Sequence, residues 1–322
     1  MVLSARAVGA VVAGALLLAG VGGGARALRA RLDRPEGTRI VGAGFPRTLI
    51  GLGPARILAA PPARVASLTV AADEILTALA GPGRLVAVSR YARDPAVSLC
   101  ADRVPAAAVS VRGDDPEAIV ALTPDVVFVA SYTLASGVRI LEGAGVPVVR
   151  FRTARSFEDI AKNVLLTARV VGEDARGEAL VHDMEARLRA IDARVLGLDR
   201  PRVLYYSAVG YTAGAGTVVD EKIQRAGGAN VARDLRLTGY VNVGLDVLAS
   251  LDPDLIVVPR WTEDPGPPVR DVTESAPFRD GRAVRAGAVR AVAAGPLTAE
   301  SPEAVRGVEE LARIFHPEAF AS

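Results

Sequence analysis

The sequence predicts an α/β protein made of two parallel-sheet α/β lobes joined by one long α-helix. Three observations carry that prediction. Residues 174–197, DARGEALVHDMEARLRAIDARVLG, place Leu180, Met184, Leu188, Ile191 and Val195 at helical spacing, with charges filling the other face. On each side of this stretch, apolar strands alternate with short helices, which implies mostly parallel sheets covered by helices. One pattern also occurs once on each side. EAIVALTPDVVFV at 117–129 and DVLASLDPDLIVV at 246–258 repeat an acid, a short helix, Pro-Asp and an apolar strand at the same spacing.

The elements follow in order. Residues 28–63 are rich in Arg, Gly and Pro, with a hairpin expected from 39–42 and 56–60. The first lobe, 64–173, reads as a strand at 64–68, a helix at 73–79 stopped by Gly81-Pro82-Gly83, and a strand at 85–89. A helix at 116–122, a strand at 125–130, a helix at 136–144 and a strand at 146–151 come next, and a last helix ends at Gly172. The linking helix spans 174–197. Asp174 is placed to cap it, Gly197 to close it and Pro201 to block continuation, with Asp183–Arg187 and Glu185–Arg189 as four-residue charge pairs. Its length would be roughly 35 Å. The second lobe, 198–322, reads as strands at 202–206, 254–259 and 289–293 and helices at 218–226 and 245–251. A loop is expected at 265–268, and a final helix capped by Ser301 runs to 315.

Residues 1–27 read as an export signal. Arg6 precedes an apolar run over 7–21, and Ala25-Arg26-Ala27 fits a small-x-small cleavage site. Cys100 is the only cysteine, so no intrachain disulfide forms, and it stands too far from the signal to carry a lipid at a mature N-terminus. The expected location is the periplasm, with the thiol buried and inert. A net charge of +2 without a basic block gives no case for nucleic acid. Arginine supplies nearly all the positive charge, Lys162 and Lys222 being the only lysines.

The tyrosines cluster by position. Tyr91 and Tyr132 follow strands of the first lobe. Tyr205, Tyr206 and Tyr211 sit at or just beyond the first strand of the second, Tyr240 lies in a loop there, and Trp261 follows the strand ending near Val258. Ligands of open α/β sheets bind outside the carboxyl ends of strands, so these rings are expected on the walls of one cleft between the lobes. Arg90, Arg112 and Arg260 stand in the same class of loops and suit an anionic chelate.

The chain resembles the substrate-binding proteins of ABC importers, in the group that carries ferric siderophores, haem and cobalamin. The similarity covers roughly residues 60–320. It rests on RVASL followed by DEILTAL, on LVAVSRYARDP at 85–95, on GAGTVVDEKIQRAGGAN at 214–230 and on SPEAVRGVEELARIFHPEAF at 301–320. The resemblance implies two lobes on one helix, and capture of a metal chelate for an ABC permease dimer with its ATPase subunits. It implies one docking carboxylate per lobe, at positions matching Glu117 and Asp246, where aspartate replaces the family's usual glutamate in the second. Cobalamin-binding members carry rings at positions matching Tyr91, Tyr205, Tyr211 and Tyr240, but Val111 stands where they have tryptophan. The tyrosine that haem binders often place before the helix at 116–122 is absent from 111–115. The expected ligand contacts are Tyr91, Arg112, Tyr132, Tyr205, Tyr211, Tyr240 and Trp261. The expected ligand is cobalamin or a ferric siderophore, bringing its own cobalt or iron to a monomer that needs no other cofactor.

A secreted α/β enzyme is the rival class, and a haem-binding relative is a second alternative. No P-loop, no GxGxxG between strand and helix, no GxSxG and no HExxH is present. His182 and His316 are the only histidines, too few for a multi-histidine metal site.

Overall fold

The computed structural model describes residues 37–51, 53–81, 83–207 and 210–321, so the expected export signal lies outside the described residues. The described chain forms two units. One contains residues 37–153 and 158–181, the other residues 154–157 and 182–321.

The first unit opens with a three-stranded antiparallel sheet: β1 (Arg39–Val41), β2 (Arg47–Ile50) and β3 (Arg56–Leu58), in that order. The expected two-stranded hairpin is therefore corrected, because β2 stands between its arms. Arg47 of β2 is buried at 4% exposure. Its guanidinium forks onto Asp174, 2.9 and 3.0 Å away, and also donates to the Arg169 carbonyl. Asp174 thus begins the linking helix as the partner of a buried arginine.

The main sheet of this unit is fully parallel. It contains β4 (Val65–Ser67), β5 (Leu85–Ser89), β6 (Val109–Val111), β7 (Val126–Val129) and β8 (Val148–Arg150), in the order β6-β5-β4-β7-β8. Every residue of β7 is buried, as a strand covered on both faces requires. Ala66, Ala87, Ile119, Val127, Val129 and Leu141 form one core with the helices Pro116–Ala121 and Ala135–Gly143. Cys100 is fully buried, and burial pushes its thiol up.

The second unit contains β9 (Arg202–Tyr205), β10 (Tyr211–Ala213), β11 (Ala229–Asn230), β12 (Tyr240–Asn242), β13 (Leu255–Arg260) and β14 (Val289–Ala293). Four strands make a parallel sheet in the order β11-β9-β13-β14, and β10 pairs with β12 as an antiparallel ribbon. Tyr206 belongs to the core and meets Phe278 edge-on at 5.7 Å between centroids. The expected loop at 265–268 ends at Pro265: the helix Gly266–Thr273 includes Pro267 and Pro268 near its start, where proline's missing N–H costs no hydrogen bond. Ser301 caps a 3₁₀ turn, Pro302–Ala304, ahead of the last long helix, Val305–Phe315.

The linking helix runs over Asp174–Val195, and Gly197 beyond it adopts φ 79°. Met184, Leu188 and Ile191 are buried at helical spacing, whereas Leu180 and Val195 are half-buried. Glu185 pairs with Arg189 at 3.6 Å. The expected Asp183–Arg187 pair is replaced, because Arg187 reaches Glu309 of the last long helix at 3.0 Å. Gly177 lets this helix approach Phe157–Val171 closely; a Cβ there would stand 2.2 Å from the Ala168 methyl.

Candidate functional site

The repeated sequence pattern folds into the same turn twice. Thr123 and Asp252, at equivalent positions, adopt φ 45° and 40°, which non-glycine residues rarely occupy. In the first copy the Asp125 carboxylate accepts from the backbone N–H of Ala63 and Arg64, both at 2.8 Å. Asp125 N–H returns a bond to Arg64 O at 2.8 Å, and the Arg64 side chain donates to Leu122 O at 2.7 Å. In the second copy Asp254 accepts from Arg202 N–H at 2.9 Å and returns to Arg202 O at 2.8 Å, and the Arg202 side chain donates to Leu251 O at 2.9 Å. The Pro-Asp pair is therefore structural: it locks each strand to its neighbour. Glu117 and Asp246 are not used in this way. Both lie exposed in the first turn of a short helix, and among the described residues neither makes an ion pair. Asp115, rather than Glu117, caps the first helix, accepting from Ala118 N–H at 3.1 Å.

In the first unit the strand order puts Arg90 and Tyr91 after β5, Arg112 after β6 and Tyr132 after β7, all at the carboxyl edge of one sheet. β5 and β6 are neighbours, so Tyr91 and Arg112 come together. Tyr132, 59% exposed, stands beyond β4. The Arg90 guanidinium carbon lies 4.6 Å above the Tyr91 ring, and the same side chain donates to the Tyr91 hydroxyl oxygen. Arg112 forks onto Asp114 with two bonds of 3.0 Å, which raises the arginine and lowers the carboxyl. Beneath this edge, buried Asp73 accepts from Ser89 N–H at 3.1 Å and from the Ser89 hydroxyl, fixing the end of β5. Desolvation pushes the Asp73 carboxyl up to about 7, against the bonds from Ser89 and Ser67.

In the second unit Tyr211 pairs with Asn242 and Ala213 with Tyr240. Directly opposed residues share a face, so Tyr211 and Tyr240 lie diagonally on one face of the ribbon. Tyr205, ending β9, is only 4% exposed, and desolvation pushes its phenol up to about 12. Tyr240 keeps part of its surface accessible, yet its hydroxyl is raised well above the usual range by burial, then by Tyr205 and Glu300. Trp261, half-buried, follows β13. Among the described residues none of these rings stacks on another.

Glu300 and Lys222 complete this cluster, and sequence reading missed both. Glu300 is pushed up to about 7 by desolvation, opposed by Lys222 and by the Ala154 N–H. Lys222 is fully buried, and its ammonium donates to the carbonyls of Pro296, Leu297 and Ala299 at 2.9, 2.8 and 3.0 Å. The available signal was compositional: a lysine stands there in a chain that otherwise uses arginine. A compact ammonium with three donors fits three converging carbonyls, and a planar guanidinium does not. Residues 214–230 likewise serve structure. Asp220 accepts from Arg233 at 2.7 Å and Asn230 at 2.9 Å, and a Cβ on Gly214 would stand 2.4 Å from Leu237 O.

Among the described residues no cluster of three or more His, Cys, Asp or Glu is able to hold a metal ion, and no helix is long and apolar enough to cross a membrane. The chain is 29% identical over 259 residues to a protein of Halobacterium salinarum named cobalamin-binding protein, covering 79% of this chain and 70% of that one. It is 26% identical over 268 residues to YvrC of Bacillus subtilis, described as an uncharacterized ABC transporter substrate-binding lipoprotein, covering 80% and 82%. Among solved structures, the apo periplasmic heme-binding protein RhuT from Roseiflexus sp. RS-1 superposes with a TM-score of 0.68 at 25% identity, covering 80% of this chain and 98% of that one. A family model described as periplasmic binding protein matches residues 65–294, and the chain belongs to that family.

Proposed function

We propose that this protein captures a corrinoid in the periplasm and delivers it to an ABC permease dimer served by ATPase subunits. The observation that carries the delivery step is the duplicated turn, which presents one exposed, unpaired acid from each unit, Glu117 and Asp246. Two like charges on equivalent turns suit a partner with two equivalent basic sites, and exposed pairs of this kind steer encounter more than they hold. The corrinoid reading is supported by the named ligand of the Halobacterium relative and by the accessible tyrosines at strand ends. Tyr91, Tyr132, Tyr211, Tyr240 and Trp261 offer ring faces and hydroxyls to the macrocycle. Tyr205, buried, backs Tyr240 instead of meeting the ligand directly. The protein acts as a monomer, leaves its ligand chemically unchanged, and takes no metal except the one the ligand brings.

A ferric siderophore is the second reading, favoured by Arg90, an exposed guanidinium at the carboxyl edge of the first sheet that stacks on Tyr91 and makes no ion pair among the described residues. Both readings share one test of delivery. In a strain that depends on this importer, Glu117→Arg combined with Asp246→Arg is expected to abolish uptake while the purified variant binds ligand as before. Uptake at the unsubstituted rate would remove the docking role. Loss of binding would place these acids in the ligand site.

A further inference from the structure

Four arginines stand in the segments that follow β5 and β6, and the structure commits three of them; Arg103 donates to the Leu99 carbonyl at 2.7 Å. Arg93 donates to the carbonyls of Pro105 and Ala108 at 2.8 and 2.9 Å, which pins its loop to the segment before β6. Arg112 is held by Asp114 in a two-bond fork. Asp115, next to Asp114, is occupied as a helix cap. Arg90 alone of the four has neither a carboxylate nor a backbone carbonyl as a bonded partner among the described residues, and it is exposed.

Arg90 is nevertheless ordered by its neighbours. It stacks on Tyr91 and donates to that hydroxyl. The Tyr91 oxygen therefore acts as acceptor, which leaves its own O–H proton to donate, strengthened by the bond it receives. Asp73 fixes Ser89 directly before this pair, and Ala92 N–H closes a turn onto Ser89 O at 3.0 Å. The result is a prearranged donor pair: a guanidinium with its remaining N–H groups, and a phenol O–H, side by side on a braced turn. Such a pair matches an anionic oxygen group.

We propose that Arg90, seated on Tyr91, is a specificity-determining residue that recognises an anionic oxygen group at the periphery of the ligand. On the corrinoid reading, on which this rests, that group is the single phosphodiester of the nucleotide loop. Arg112 keeps Asp114 neutralised, so that this carboxylate does not repel the ligand.

The test uses the mature protein and two probes, cyanocobalamin and dicyanocobinamide, the second lacking the nucleotide and its phosphodiester. Dissociation constants are measured for the unsubstituted protein, Arg90→Gln and Arg90→Lys, at low and high salt. Arg90→Gln is expected to weaken cyanocobalamin binding about tenfold or more, the scale of one hydrogen bond to a charged group, and to change cobinamide binding less than about twofold. Arg90→Lys is expected to recover part of the loss, and added salt to weaken cyanocobalamin selectively in the unsubstituted protein and in Arg90→Lys but not in Arg90→Gln. Equal losses on both probes, or no loss on either, would overturn the assignment of Arg90 while leaving the corrinoid reading intact. Failure of the unsubstituted protein to bind either probe would overturn the corrinoid reading and this assignment with it.

Discussion

Lys222→Met is expected to lower the unfolding free energy of the second unit by about 3–5 kcal/mol, the scale for removing one partner from a buried charged network. The ammonium is fully buried and satisfies three backbone carbonyls at the end of the helix Ala294–Thr298. Methionine fills most of the same volume but leaves those carbonyls without their donor in a dry interior. It also removes the positive charge that restrains the rise of the Glu300 carboxyl. Lys222→Arg is expected to fail as a rescue, because a planar fork cannot converge on three carbonyls already spaced for a point charge. Urea unfolding followed by far-ultraviolet dichroism measures the loss. An unchanged midpoint for Lys222→Met would show that those carbonyls find other donors.

The second large effect is on pH. Asp73 in the first unit and Glu300 in the second are both pushed up to about 7 from ordinary values of 3.8 and 4.5. Between those limits the folded protein holds protons that the unfolded chain has released. Stability therefore falls as pH rises through the window. Each group contributes stability that is fully present below the ordinary carboxylate range and is lost as pH climbs to 7 and beyond, on the order of 3 kcal/mol per group. Asp252 and Asp254 act in the opposite sense, since Arg282 and Arg202 hold them below the usual range, so their contribution fades only in stronger acid. The expected optimum lies at about pH 4 to 5, with thermal unfolding several degrees lower at pH 8, on the order of 2–4 °C per kcal/mol. Asp73→Asn and Glu300→Gln should each flatten the profile, and if the two units melt separately each should flatten one transition only. A midpoint that rises steadily from pH 5 to 8 would contradict the protonated state of both groups.

Much of the architecture was legible because its elements are long apolar runs with clear stops. β5, β7, β13 and β14 carry such runs, and the helices over Phe157–Val171 and Asp174–Val195 carry helical periodicity. The repeated acid, Pro-Asp and strand were readable as a pattern, but the reason for Pro-Asp was not. It appears only when Asp125 and Asp254 are seen gripping the neighbouring strand. β2, β6, β10 and β12 were missed because three or four residues show no period of their own; their partners, distant in sequence, define them. The prolines near 265 read as a loop because proline marks both loops and helix starts.

The candidate site divides along the same line. That tyrosines follow strands was visible in the chain. That Tyr205 is buried while Tyr132 is exposed was not, since burial depends on what packs over each ring. Arg112 held by Asp114 was within reach of sequence reading, two residues apart, yet choosing Arg90 over it as the ligand's cation required the fork itself. Glu300 and Lys222 gave no motif, because their role exists only through residues far away in the chain.

Trp261 is the only tryptophan, and it stands half-buried at the end of β13, so its emission reports on the second unit alone. Titrating the mature protein with cyanocobalamin while following Trp261, then recovering the ligand for its absorption spectrum, measures capture and chemical inertness together. Saturable quenching with the corrinoid returned unchanged is the predicted result. A flat titration with cyanocobalamin and with ferric chelates alike, or a ligand recovered in altered form, would contradict it.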